Sequence, residues 1–529
     1  TPPQVDSPAL SPWRVVKLRY ALMADRLVEI GLSALVVLTP LAFGTVEPWS
    51  IAIAEAGIYA IALVWGLAMV SAGEIRIERT VLSLCWLLVL LVGIVQVIPL
   101  PLQIIHMISP KAAALYQQIE FDSHLATSWH TLSLVPYATR QALVRLLALA
   151  LLFWVAMNSL QTRAQIDRIV RVMMTTGFGL ALFGIIQHFT GNGKLYWVRE
   201  LTQGGSLFGP YVNRNHFAGY MEMVIPLTIG YIVANRRPMS DGRVPAPNGG
   251  VGWRSRLLHW GTPQASRSLL AFFGGLIMSV ALLLTGSRAG LFSFFCSMLF
   301  MAFLLSARRL RSKRLWGMLV SFVVLGLTYA LWLNPNRVLQ TFAILWRGTD
   351  DPSFHGRILV WQDTLRLGHD FQWSGTGLDT YIWAFPLYKQ PLIGQDVYDY
   401  AHNDYLQAFA EGGLPLMAIF ALALLWGGTQ LLNRWSQHEG SHARGIGLGL
   451  LAGLVAMLVH SAYDFNLHIL ANAILFVLLL ALASRVLLLR RPRVSQKMVF
   501  SSQRSATGLE EIPRAPLTKG ARGISYGEH

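Results

Sequence analysis

The stretch Ala401–Gly413 reads AHNDYLQAFAEGG and sets His402, Asn403 and Asp404 side by side ahead of a long apolar run. Asn403 or Asp404 suits the N-cap of a helix, and Gln407 follows Asp404 at the spacing of a capping box. Gly412 and Gly413 then end the short helix. Asn and Asp thus have a structural task there, and His402 has none. The positive end of a helix dipole disfavours added positive charge. A neutral imidazole at that place can take a proton from a hydroxyl, which is general-base chemistry. The plainer alternative is an interfacial His bonded to backbone.

Other polar residues interrupt the apolar sequence at a few places. They are Arg214, Asn215 and His216 in YVNRNHFAGY, Ser287 and Arg288 in LTGSRAGLF, and His460 and Asp464 in VHSAYDFN. Arg288 admits two readings: a side chain reaching lipid phosphate, or a fixed cation aimed into a cavity. Arg214 has the same two, with its flanking Asn residues favouring a hydrogen-bonded site. Two guanidiniums suit a diphosphate, because each forks onto two oxygens. A sugar carried on a lipid diphosphate has a good leaving group, whose departure builds negative charge that cations can meet. The acceptor hydroxyl needs a base. Two arginines and a His therefore fit a membrane glycosyltransferase with a lipid-linked donor, and no cofactor is expected. The carboxylates of TDDP (Asp350, Asp351) and DVYD (Asp396, Asp399) read as turn and loop residues rather than a metal site. Glu222, about two turns after Arg214, either orients an Arg or makes a lone intramembrane pair.

These residues need elements to hold them. The chain has 529 residues, 54% hydrophobic and 13% charged, against about 25% charged in soluble proteins. Blocks such as VLSLCWLLVLLVGIVQVIPL are of bilayer-spanning length. The expected fold is an all-α polytopic membrane protein of about twelve transmembrane helices. The candidate spans are 27–44, 51–71, 81–100, 142–160, 168–187, 216–235, 268–286, 289–306, 315–333, 414–432, 445–463 and 468–488. With the N-terminus inside, most of the 43 Lys and Arg fall in inside segments. The net charge of +16 is thereby assigned to topology and to lipid headgroups. No aromatic-interleaved groove motif points to nucleic acid. Cys85 and Cys296 both lie in apolar blocks and read as small buried hydrophobes.

The expected organisation is a cytoplasmic arm (1–26), a transmembrane catalytic domain (27–488) and a disordered cytoplasmic tail (489–529). Within the domain, 236–267 is a flexible inside loop and 334–413 a large periplasmic loop containing short helices. In that loop, HGRILVWQDTLRLGHD places Ile358, Leu359, Trp361, Leu365 and Leu367 at the spacing of an amphipathic helix along the membrane face. SGTGLDTY follows as a turn. On this topology the four polar clusters share the outer side.

Five stretches carry a resemblance: NRNHFAGYM, LTGSRAG, GRILVWQDTL, GTGLDTYIWAFPLY and HNDYLQAFAEGGLPL. Their order resembles the bacterial O-antigen ligase and O-antigen polymerase superfamily over about residues 170–480. The resemblance implies a metal-independent, inverting enzyme of the bacterial inner membrane, with its site facing the periplasm. It implies a glycan donor on undecaprenyl diphosphate. It implies His402 as the base and Arg214 and Arg288 as the donor diphosphate-binding arginines; Asn215, His216, Asn403, Asp404 and Arg357 are candidate supporting positions beside them. A ligase passes the glycan to a lipid A–core acceptor, a polymerase passes it to another repeat unit, and a related group glycosylates proteins. The rival outside enzymes is a lipid-glycan flippase, which would want charges and broken helices at the membrane midplane.

Overall fold

Long apolar runs become helices, because only a helix satisfies its backbone within one segment in lipid. The computed structural model describes residues 12–73, 77–123, 129–201, 205–235, 263–307, scattered positions in 317–336, and 352–391 and 397–488. The helices are α1 (Pro12–Leu41), α2 (Pro48–Ala72), α3 (Val81–Val97), α4 (Leu102–Ile108), α5 (Pro110–Ser123), α6 (Pro136–Ser159), α7 (Arg163–Thr190) and α8 (Arg214–Ala234). They continue with α9 (Pro263–Thr285), α10 (Arg288–Ala307), α11 (Pro352–Asp370) and α12 (Asp404–Leu422). A π-helical turn, Ala423–Gly427, carries α12 into α13 (Gly428–Gln437), before α14 (Ser441–His460) and α15 (Leu470–Val486). Local signals set several of the starts: Pro at the head of α2 and α6, a Thr162–Gln165 capping box on α7, and Thr80 capping α3.

Among the described residues, 8 helices are long and apolar enough to cross a membrane, and Val81–Val97 and Leu470–Val486 are apolar but shorter. The chain is thus an all-α polytopic membrane protein, with fewer qualifying helices than the twelve expected. Most of 315–333 lies outside the described residues, as do Asp350, Asp351, Asp396, most of 236–267 and the tail from 489. The helix of α1 starts at Pro12, within the stretch expected as an arm.

At the centre stands α8, buried without interruption from His216 to Ile232. It packs on α14 almost backbone to backbone. A Cβ on Gly449 would come within 2.7 Å of the Pro226 carbonyl, and one on Gly453 equally near that of Met223. Small residues let membrane helices approach this closely.

A second core lies apart from the helix bundle. Ile105, Leu132, Val360, Leu367, Phe371, Tyr381 and Phe385 pack together, so the stretch after α3 and the stretch around α11 form one cap. The short strands β1 (Leu100–Pro101) and β2 (Trp129–His130) pair antiparallel within it. The buried face of α11 shares Leu367 with the apolar stripe read in the sequence and adds two polar residues to it. Val360, Asp363, Thr364 and Leu367 are buried, while Leu365 is exposed. The polar pair can go inside because its partners are there. Asp363 accepts from the backbone N–H and side-chain amide of Gln390 (3.0 and 2.7 Å), and Thr364 bonds the Tyr381 hydroxyl at 2.7 Å.

Candidate active site

Three helices begin at the same end of the bundle, each with a side-chain cap. The Asn213 side chain accepts the Asn215 N–H at 2.9 Å, which leaves Arg214 as the first residue of α8. The Ser287 Oγ accepts the Gly290 N–H at 3.2 Å, with Arg288 first in α10. The Asn403 Oδ1 accepts the N–H groups of Tyr405 and Leu406, both at 3.1 Å, and His402 immediately precedes it. Asn403 is thus the cap of α12, and the expected box with Gln407 does not form. The Gln407 amide instead accepts from the Ala401 N–H at 3.1 Å and lies 3.2 Å from both Glu411 and His468. Gly413, at φ 63°, breaks the helix where the sequence placed its end.

His402 sits at φ 50°, a left-handed conformation that costs a β-carbon-bearing residue about 1–3 kcal/mol. Its neighbours hold it there. Trp361 donates to the Ala401 carbonyl at 3.0 Å, and the Asp404 N–H to the Ser461 carbonyl at 2.8 Å. The imidazole Nδ1 lies 3.2 Å from Oδ1 of Asp464, a fully buried carboxylate, while the His side chain stays 30% exposed. Asp464 also accepts from Asn215 Nδ2 at 2.7 Å and from the Phe465 N–H at 2.9 Å. Arg357 stands 4.0 Å from it and donates to the neighbouring Tyr463 carbonyl. Burial alone would raise the Asp464 pKa. The hydrogen bond with His402 and the electrostatic influence of His216, Arg357 and His402 outweigh it and hold the carboxyl well below the usual range.

An imidazole that gives its Nδ1 proton to Asp464 keeps Nε2 as an acceptor, fixed in direction. The bond from Asp464 to Asn215 ties this imidazole to the residue after Arg214. The charge of Arg288 reaches Arg214. One turn after Arg288, Phe292 packs edge-on against Tyr463 (5.8 Å, 82°), beside Asp464. Guanidiniums on the first residues of two helices, with the helix N-termini behind them, favour an anion.

The supporting positions divide. Asn215 and Arg357 converge on Asp464. His216 is buried and presents its ring to Phe465 (4.7 Å, 73°), whose other faces meet His402 and Tyr400. Asp404 bonds His468 at 2.9 Å. Burial would lower the His468 pKa, but that carboxylate, with Glu411 and Asp379, raises it above the ordinary histidine value. Glu222 pairs with His460 at 2.9 Å rather than with an arginine, both fully buried. Sequence reasoning placed Asp464 among the polar clusters but gave it no role. The signal was a carboxylate in the short turn after α14, on the same side as His402. Among the described residues no three His, Cys, Asp or Glu side chains gather as a metal-holding group.

A family model described as O-antigen ligase matches residues 273–421, a stretch that includes Arg288, Arg357 and His402. Arg214, Asn215 and Asp464 lie outside it. No curated protein and no solved structure matches the chain.

Proposed function

We propose that the chain, whose residues 273–421 match a family model described as O-antigen ligase, is an O-antigen ligase-type glycosyltransferase of the bacterial inner membrane. It moves glycan from undecaprenyl diphosphate to a lipid A–core acceptor on the periplasmic side. The observation that supports this reading is the continuous link His402–Asp464–Asn215, which ties a directed imidazole to the residue that follows Arg214.

Arg214 and Arg288 grip the donor diphosphate and meet the charge that grows there as the glycosidic C–O bond breaks. His402 Nε2 takes the proton of the acceptor hydroxyl, and Asp464 stabilises the resulting imidazolium. The oxygen attacks the anomeric carbon from the face opposite the diphosphate. The bonding pair leaves with the diphosphate and the configuration inverts. Arg357 and Asn215 keep Asp464 ionised and aimed. The protein's own guanidiniums can supply the positive charge for this step, and no cofactor is invoked. A polymerase would use the same machinery with another acceptor.

The test is purified protein with a defined lipid-linked donor and two acceptors, lipid A–core and a second carrier-linked repeat unit. Transfer to lipid A–core alone supports the ligase reading. Transfer to the repeat unit alone replaces it with polymerase. His402→Ala should lower transfer about 10²–10⁴-fold while donor still binds. Unchanged transfer in that variant would remove the proposed base.

A further inference from the structure

A second polar group lies beyond Phe465 from His402, and the mechanism above does not use it. Phe465 meets the His402 ring at 4.9 Å and stacks on Tyr400 at 4.3 Å with 16° between planes. The charges of Asp379 and Arg145 both reach the Tyr400 hydroxyl. Its hydroxyl makes no hydrogen bond to the described residues. Burial, and then the Asp379 charge, push its pKa up to about 12, so it remains a donor. Arg145 sits between two carboxylates, 3.4 Å from Glu55 and 3.8 Å from Asp379. Both distances are long for charge-assisted hydrogen bonds, so much of this group's hydrogen-bonding capacity is open. Arg145, Glu55 and Asp379 are all half-buried, with side-chain exposures of 26%, 16% and 30%.

The position is built rather than incidental. Asp379 has φ 60°, and its N–H is held by Glu411 at 2.9 Å. Gln96, from α3, donates to the carbonyls of Ser374 and Glu411 (2.7 and 2.8 Å) and accepts the Leu378 N–H at 3.1 Å. A Cβ on Gly375 would overlap the Glu411 carbonyl, so glycine alone permits this path. Three elements, α2, α6 and the cap, thus converge on one guanidinium.

The local charge selects the ligand. One cation between two carboxylates leaves a net negative group, which repels phosphate. Arg214 and Arg288 present the opposite field. A neutral polyhydroxyl compound fits the second group. Carboxylate and guanidinium take paired hydroxyls bidentately, and a partly exposed aromatic ring covers a sugar's C–H face. From His402 one link, through Asp464 and Asn215, leads to Arg214 and the donor diphosphate. The other, through Phe465 and Tyr400, leads here. The geometry points to an acceptor-saccharide subsite formed by Tyr400, Asp379, Arg145 and Glu55, which holds a neutral sugar while its hydroxyl reaches His402. The assignment rests on the transferase reading for its name, but its binding test does not.

Asp379→Asn keeps the shape and tolerates a positive φ, and Arg145→Lys and Tyr400→Phe change single functions. The probe is delipidated core oligosaccharide titrated into full-length detergent-solubilised protein, alongside transfer kinetics. Expected is at least tenfold weaker oligosaccharide binding in Asp379→Asn and Arg145→Lys, a severalfold loss in Tyr400→Phe, and a matching rise in acceptor KM with donor KM unchanged. Binding as tight in Asp379→Asn and Arg145→Lys as in the wild type overturns the subsite, as does a wild type that binds no oligosaccharide. A rise in donor KM instead assigns the group to the donor's sugars and overturns the acceptor assignment. Oligosaccharide that binds as expected without any transfer contradicts the transferase reading and leaves the subsite standing.

Discussion

Two His–carboxylate pairs at one end of the helix bundle make an internal comparison. His402 and Asp464 are 3.2 Å apart, and His460 and Glu222 are 2.9 Å apart. Both carboxylates are fully buried. The imidazoles differ: His402 is 30% exposed and His460 not at all. His460 Nε2 and Glu222 Oε2 are sealed in without hydrogen-bond partners among the described residues. The same chemical pair is therefore available to a substrate in one place and locked between α8 and α14 in the other. Access, set by whether the histidine precedes a helix in a turn or ends one inside the bundle, separates a reactive pair from a structural one.

Removing the carboxylate that orients the open pair should have the largest effect. Asp464→Asn should lower kcat about 10³–10⁴-fold, as expected when an imidazole loses its tautomer partner, with donor affinity retained; initial rates alongside donor titration read both. An equal loss in Glu222→Gln would erase the distinction between the pairs.

The donor arginines come next. Arg214→Ala and Arg288→Ala should each weaken donor binding by about 1.5–3 kcal/mol, the worth of a hydrogen bond to a charged group. Titration with the lipid-linked donor measures it, and undiminished affinity would detach both residues from the diphosphate.

For the sealed pair the expectation reverses. Glu222→Gln should leave transfer within a few-fold and lower stability by about 1–3 kcal/mol, the cost of a weakened buried hydrogen bond, seen as a lower midpoint in detergent unfolding.

The smallest effect belongs to a third pair, His468 and Asp404. A histidine whose folded pKa is raised stabilises below its unfolded value, about 6.5, and loses that contribution as pH rises through the folded one. Stability should therefore decline as pH climbs past the ordinary histidine range, and Asp404→Asn should flatten that slope. Asp464 has the opposite sign. Its lowered pKa contributes stability above the unfolded carboxylate value, lost only as pH falls below the usual range.

What could be read in the sequence was local. Apolar runs become helices, Asn403 and Gly413 bound the short helix, and Arg214, Arg288 and His402 fall at helix starts on one side. Partners distant in the chain could not be read. His402 meets Asp464 across 62 positions and Glu222 meets His460 across 238, so nothing in the spacing selects them. Gln407 illustrates the limit. Its spacing from Asp404 fits a capping box, yet Asn403 already satisfies the helix start, and tertiary neighbours take the amide. On α11 the apolar spacing could not reveal that Asp363 and Thr364 are buried, because their partners exist only in the folded cap.

The central claim is that His402, and not His460, exchanges a proton with the acceptor. Chemical rescue tests it most directly: transfer by His402→Ala and His460→Ala, each with and without added imidazole, at saturating donor. Imidazole should restore activity to His402→Ala and do nothing for His460→Ala. His402→Ala that keeps wild-type transfer, or binds donor yet stays inactive at every imidazole concentration, would contradict it.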